Sequence, residues 1–241
     1  MRTKDFLRGR RRNELSAEET DALEHAVDAV EVLPPRTVLA SRGDRLNRST
    51  LIIDGFACRY MDARDGYRQI LSYHVAGDFI DLHSFPTRYI DHDIATISKV
   101  TLAYVRHDRL EALMTERPHL AKLLWFSTML DAAQHREWIF RIGRLDAAGR
   151  LAHFICETFY RMQAVDRVQD GTCDLPLTQQ DLGEIAGLTS VHVNRVLRRL
   201  REDGLAIVGR GKLQILDLDR LARLGEFKTD YLYLEDGPWQ E

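Results

Sequence analysis

Residues 178–212 read TQQDLGEIAGLTSVHVNRVLRRLREDGLAIVGRGK, and this stretch decides the fold. Thr178 opens a helix: its hydroxyl suits a cap, and Asp181, three residues on, lies near the positive end of the helix dipole. Leu182, Ile185 and Ala186 share one face. Gly183 is small enough to let a second helix approach closely, Gly187 makes the turn and Leu188 plugs the corner. Thr189 or Ser190 caps the second helix, whose inner face is Val193, Val196, Leu197 and Leu200. After Gly204, Leu205–Val208 and Leu213–Leu216 read as two strands around Gly209-Arg210-Gly211-Lys212. Helix, glycine turn, helix and β wing together predict a winged helix-turn-helix.

The opposite face of the second helix carries Val191, Asn194, Arg195, Arg198 and Glu202. The second helix of such a motif lies in the DNA major groove with its N-terminal residues at base edges. Arg195 matches guanine O6 and N7, Asn194 matches adenine, and Val191 matches a thymine methyl. Thr178, Ser190, His192, Arg198 and Arg199, with Arg210 and Lys212 on the wing, suit the DNA backbone. Between Thr189 and Lys212, six cations (Arg195, Arg198, Arg199, Arg201, Arg210 and Lys212) face only Glu202 and Asp203. The whole chain has a formal charge of −3. The positive charge is therefore local, as phosphate attraction requires.

The chain has 241 residues, 44% of them hydrophobic, enough for one large domain or two small ones. No apolar run approaches the roughly 18 residues of a membrane span, so no membrane contact is expected. Met1–Arg12 holds Arg2, Lys4, Arg8, Arg10, Arg11 and Arg12 against Asp5, without the apolar stretch of a secretory signal. It reads as a solvated basic tail over residues 1–16, with an arm touching DNA or a partner as the sharper alternative. Cys58, Cys156 and Cys173 stand far apart and form no paired framework, which fits a reducing cytoplasm.

Leu15–Val32 reads as a helix opened by a Ser16/Glu19 capping box and stopped by Pro34-Pro35. From Arg36 to Val105 the pattern is of short strands: Thr37–Ala40, Leu51–Ile53, Phe56–Met61, Arg68–Tyr73, Phe79–Leu82, Ile94–Ile97 and Leu102–Val105. Asp54-Gly55 and similar turns between them predict a sandwich or barrel. His107–Glu116 reads as a short helix. Pro118 starts a long one that runs to about Ile142, with Gly143 ending it. Its seam Leu123, Phe126, Leu130, Ala133 and Phe140 follows the spacing of a parallel two-stranded coiled coil; an intramolecular core helix is the alternative. Ala147–Met162 is a further helix, Val165–Asp174 a polar loop, and Glu226–Glu241 an acidic, aromatic tail with Tyr231, Tyr233 and Trp239. The expected class is α+β. Residues 17–108 form a β domain with flanking helices, 109–144 a dimerisation helix region, 145–224 the winged helix-turn-helix and 225–241 the tail.

Three stretches make the chain resemble the Crp/Fnr family of bacterial transcription regulators: Arg42-Gly43-Asp44 through Gly77-Asp78-Phe79-Ile80-Asp81, the Leu145–Arg150 joint, and Leu177–Lys212. The resemblance runs from about residue 17 to 222. It implies a cyclic-nucleotide-binding-like β jelly-roll as sensory barrel and a homodimer through the long helix. It also implies a palindromic double-stranded DNA operator and contact with RNA polymerase. It places a candidate effector pocket at Gly77, Asp78, Phe79, Ile80, Asp81 and Asp93. Cyclic-AMP-binding members grip the phosphate with an Arg-Ser or Arg-Thr pair; here that position is Asp93-Ile94, and a carboxylate repels phosphate. No ordinary cyclic-AMP site is expected. Three cysteines cannot supply four cluster thiolates, so an iron–sulfur cluster is not expected either. Haem stays open, given His74, His83, His92 and His107, although these read as solvated or core histidines. Asp91-His92-Asp93 offers ligand types, yet no metal site is predicted. At the recognition helix, family members place Arg-Glu-x-x-x-Arg or Glu-x-x-Ser-Arg; only the final Arg, Arg195, is kept here.

No enzyme is expected. Gly209–Lys212 imitates the end of a phosphate loop, but the strand-to-helix context is missing. The alternative from another class is a ligand-binding signalling module whose helical domain binds protein and not DNA.

Overall fold

The computed structural model describes residues 1–235. The chain divides into two compact units: Met1–Met61 with Ser72–Ala132, and Asp62–Leu71 with Ala133 onward. In chain order the first half contains α1 (Ala17–Ala26), β1 (Val27–Leu33), β2 (Val38–Ala40), β3 (Arg48–Asp54), β4 (Ala57–Asp62), β5 (Arg68–His74), α2 (Ser84–Thr87), β6 (Asp93–Thr96), β7 (Val100–Arg106) and α3 (His107–Glu116). The long α4 (Pro118–Arg144) follows. Two sheets form, in the orders β1-β7-β3 and β2-β6-β4-β5, and the architecture is the expected β jelly-roll with helices.

Period-two alternation builds the core of this unit. In β3, Leu51 joins a cluster with Leu23, Leu110 and Leu120 from α1, α3 and α4. Its neighbour Ile52 turns to the other face, with Ile80, Ile94 and Leu102. Likewise Ala103 and Leu102 of β7 belong to opposite clusters. The middle of the β1-β7-β3 sheet is thus buried on both faces, which explains its nearly continuous apolar runs.

Helix α1 keeps its Ser16/Glu19 capping box but ends at Ala26. Val27–Leu33 is a strand paired antiparallel with β7, because long-range pairing of a β-branched segment outweighs a helix-like local spacing. Phe79–Leu82 makes a single bridge, Leu51 to Phe79, and no strand. The basic N-terminus is not a solvated tail. Phe6 is fully buried and Leu7 nearly so, both in the core cluster. The Phe6 ring meets Phe79 edge-on at 5.6 Å. Glu24 accepts from the Arg2 and Thr3 backbone N–H groups at 2.8 and 2.9 Å. Two apolar residues among the cations found core partners, and a carboxylate anchors the segment.

The second unit holds α5 (Ala147–Ala164), β8 (Val168–Gln169), β9 (Thr172–Asp174), α6 (Gln179–Ala186), α7 (Ser190–Glu202), β10 (Ala206–Gly209), β11 (Lys212–Ile215) and α8 (Leu218–Leu224). Helix α5 is buried along most of its length and packs on α6, α7 and α8. The expected polar loop at 165–174 is instead the β8–β9 hairpin. It extends the wing into a sheet ordered β10-β11-β9-β8, with Cys173 opposite Leu213. Helix α4 continues through Gly143 to Arg144. The tail packs on its unit as far as it is described: Leu232 is fully buried, and the Tyr231 hydroxyl donates to Glu157 at 2.8 Å. Residues 236–241, Trp239 among them, lie outside the described residues. Among the described residues no helix is long and apolar enough to cross a membrane.

Candidate nucleic-acid interface

The interface begins with two caps. The Asp181 backbone N–H donates to the Thr178 hydroxyl at 3.1 Å, and the Asp181 carboxylate accepts from the Thr178 N–H and hydroxyl, each at 2.7 Å. This capping box starts α6 and commits the Thr178 hydroxyl to it. Gly187 closes α6 in the left-handed conformation, with φ +65°. Gly183 is the close-approach point: a Cβ there would lie 2.4 Å from the Leu188 carbonyl oxygen. The Leu188 N–H donates to Gly183 at 2.9 Å, so only a hydrogen side chain fits the corner. Thr189 caps α7 by accepting from the His192 N–H. Ser190 is therefore the first helical residue and not the cap.

Val193, Val196 and Leu200 of α7 are buried, and Leu197 is half-buried. The outer face presents Val191, Asn194, Arg195 and Arg198 to solvent. Val191 is 82% exposed, an apolar side chain left in water. Among the described residues, no hydrogen bond or ion pair engages the side chains of Asn194, Arg195 or Arg198. Their donors are open for a ligand. Other candidate backbone contacts differ. Arg199 lies 3.5 Å from Asp203, and Lys212 lies 2.5 Å from Asp174. Asp174 falls outside the stretch whose charge was read from sequence; β9 pairs with β11 and brings it to the wing. The wing turn is Arg210-Gly211, both at positive φ (54° and 75°), between the paired Gly209 and Lys212. This is the two-residue geometry that matches strand twist. It leaves Arg210 at the exposed tip.

The α4 seam needs correction. Leu123, Leu130 and Ala133 are buried within the chain, and Phe126 packs against the first unit's core and under Arg11 at 4.9 Å. Of the expected seam only Phe140 is exposed. The outward apolar side chains are Trp125, Met129 and Ile139, at 65%, 47% and 73% exposure. With half-buried Ala132 and exposed Arg136 they follow the same four-three spacing one step round the helix. The sequence carried both stripes, and only packing tells which is covered.

The expected effector pocket also changes character. A Cβ on Gly77, whose φ is +90°, would strike the Asp5 carbonyl. Phe79 and Ile80 are buried in the two core clusters. Asp78 accepts from the Val75 N–H at 3.0 Å. Asp81 is buried and accepts from the Thr50 hydroxyl at 2.8 Å. Burial pushes its carboxyl up to about 6 against those hydrogen bonds. Asp93 accepts from the Arg42 N–H at 3.1 Å. These residues serve the barrel's own structure. Of the four barrel histidines, His74 contacts the Ser72 hydroxyl at 2.8 Å and His107 that of Ser49 at 3.3 Å. His83 is folded against His92.

Residues 149–224 match the Crp-like helix-turn-helix domain. The chain is 29% identical over 192 residues to the transcriptional activator protein FnrL of Cereibacter sphaeroides, covering 77% of this chain and 75% of that protein. It is 26% identical over 210 residues to the nitrogen fixation regulation protein FixK of Bradyrhizobium diazoefficiens, covering 87% of each. Among solved structures, FixK2 of Bradyrhizobium japonicum superposes with a TM-score of 0.74 at 23% identity, covering 81% of this chain and 96% of that one. The jelly-roll, the long helix and the winged helix-turn-helix thus occur in the same order along related chains. Residues 149–224 thus carry a Crp-like helix-turn-helix domain, and the chain is similar over most of its length to the regulators FnrL and FixK.

Proposed function

We propose that the chain is a homodimeric, sequence-specific DNA-binding transcription regulator. In this reading α7 enters the major groove of a palindromic operator and input arrives through the β jelly-roll. The observation that carries it is the outer face of α7, where Asn194 and Arg195 stand exposed and unengaged beside Val191. Free donors at the N-terminal half of a recognition helix are what base reading requires. The names of FnrL, an activator, and FixK, a regulation protein, support it.

Ser190, His192, Arg198 and Arg210 then flank the bases and meet phosphate. Arg199 and Lys212 join by exchanging Asp203 and Asp174 for phosphate oxygens. Thr178 contributes the helix start more than its hydroxyl. The dimer forms through the exposed stripe of Trp125, Met129, Ile139 and Phe140 on α4. The regulator works in the cytoplasm, where RNA polymerase is its further partner. It is not an enzyme.

Selection of bound fragments from random DNA tests this reading. The expected result is a palindrome with half-sites about one DNA turn apart and an affinity that falls steeply with added salt. No enrichment together with a flat salt response would overturn it in favour of a protein-binding role.

A further inference from the structure

The segment between Leu82 and β6 folds back so that its two ends meet. The His83 and His92 rings lie 5.1 Å apart, inclined by 37°. The His92 Nδ1 is 2.8 Å from an Asp91 carboxylate oxygen. A carboxylate only accepts, so the His92 proton sits on Nδ1 and the lone pair on Nε2. That Nε2, and the Nε2 of His83, are buried and lack a hydrogen-bond partner among the described residues. Buried polar atoms are nearly always paired, so two unpaired imidazole nitrogens on neighbouring rings call for a ligand. One ligand atom from each of His83, Asp91 and His92 lies within 4.8 Å of the others.

The surroundings select the kind of ligand. The nearby cation, Arg59, is already spent: it donates to the Ile80 carbonyl and to Asp131, both at 2.6 Å. Among the described residues no uncompensated positive charge acting on these rings is left for an anion. Arg59 and Asp131 cancel, and Asp91 remains to offset a cation. Two imidazoles and a carboxylate are the donor set of zinc and of ferrous iron, and they do not suit magnesium or calcium.

We propose that His83, His92 and Asp91 form a binding site for a first-row divalent cation of the zinc and ferrous-iron class. Asp91 acts either as third ligand or as the group that orients His92, and water fills the remaining positions. The ion ties the two ends of the 83–92 segment together, next to α2 and β6. Sequence alone did not pair His83 with His92, because eight residues separate them and no helical spacing joins them.

The test uses the full chain, stripped with chelator and titrated with cobalt(II), whose visible bands report its ligands. The expected result is one equivalent of cobalt with nitrogen-ligand bands, displaced by one equivalent of zinc, and a rise in Tm with either ion. His83→Gln and His92→Gln should each abolish the bands. Asp91→Asn should weaken binding about 10- to 100-fold. His25→Gln, at an exposed position of α1, should change nothing. Circular dichroism checks folding; if His92→Gln does not fold, the half-buried His83→Gln and the exposed Asp91→Asn carry the test. Absence of saturable cobalt binding, or bands unchanged in His83→Gln and Asp91→Asn, would overturn the site. So would stoichiometric haem uptake lost in the same variants, since that assigns the histidines to a porphyrin. None of these readouts involves DNA, so the site stands or falls separately from the regulator reading.

Discussion

Arg195 stands exposed with no acidic partner among the described residues, whereas Arg141 and Arg161 are buried around the equally buried Glu157. Glu157 accepts from the Trp138 indole at 3.1 Å, the Tyr231 hydroxyl at 2.8 Å and Arg161 at 3.3 Å. The Arg141 guanidinium lies 4.0 Å over the Trp138 ring. Burial alone would raise the Glu157 pKa, but the charges of Arg161 and Arg141 outweigh it and hold the carboxyl low. The two kinds of arginine should respond oppositely to mutation. Arg195→Ala should cost about 1–3 kcal/mol of operator binding and relax specificity at one base pair per half-site, with the urea midpoint unchanged. Glu157→Ala should cost about 3–5 kcal/mol of folding stability, since it strands two buried cations; urea denaturation measures it. Unaltered discrimination by Arg195→Ala across operator variants would mean that α7 docks differently. The outer face of α7 was readable from sequence because helical spacing fixes which side chains share a face. The Glu157 cluster was not, because its members come from three separate segments and a charged residue on a helix normally reads as solvated.

At the scale of elements, the tight corner between α6 and α7 and the two faces of α4 each make a prediction. Gly183→Ala forces its Cβ against the Leu188 carbonyl. It should lower stability by about 1–3 kcal/mol and displace α7, so that DNA affinity falls even where the protein remains folded. Thermal melts and binding titrations on the same sample separate the two effects. On α4, Met129→Glu places a charge in the exposed stripe and should shift sedimentation from dimer to monomer with little change in monomer stability. Leu123→Ala, on the covered face, should cost about 2–5 kcal/mol of stability through a cavity. If Leu123→Ala dissociated the dimer while Met129→Glu left it intact, the faces would be reversed. Two stripes with heptad spacing run along this one helix, and sequence could not rank them, since both are apolar and the ranking depends on what packs beside each.

At the scale of the molecule, the N-terminal segment closes over core that would otherwise meet water. Its anchor, Glu24, is sensitive to acid. Burial alone would raise its pKa, but the hydrogen bonds from Arg2 and Thr3 prevail and bring it down from the ordinary 4.5 to about 2. On acidification the unfolded chain therefore takes up the proton first. The anchor's contribution is complete above about 4.5 and is lost as the pH falls toward 2. Hydrogen exchange of residues 1–12 should accelerate over that window, and Glu24→Gln should show the same exposure at pH 7. Protection unchanged in Glu24→Gln would assign the docking to Phe6 alone.

The winged helix-turn-helix, the caps at Ser16 and Thr178, and the succession of short strands were all readable from local pattern. Each depends on residues a few positions apart, and short-range sterics and hydrogen bonding set them. What required the fold was every choice between two locally acceptable states. Val27–Leu33 became a strand because β7 lay waiting to pair with it. The basic N-terminus became core because Phe6 found Phe79. Asp174 quieted Lys212 because β9 joined the wing. His83 met His92 because a loop returned on itself. In each case the deciding energy is a long-range contact, and such a contact leaves no periodic trace in either of the segments that make it.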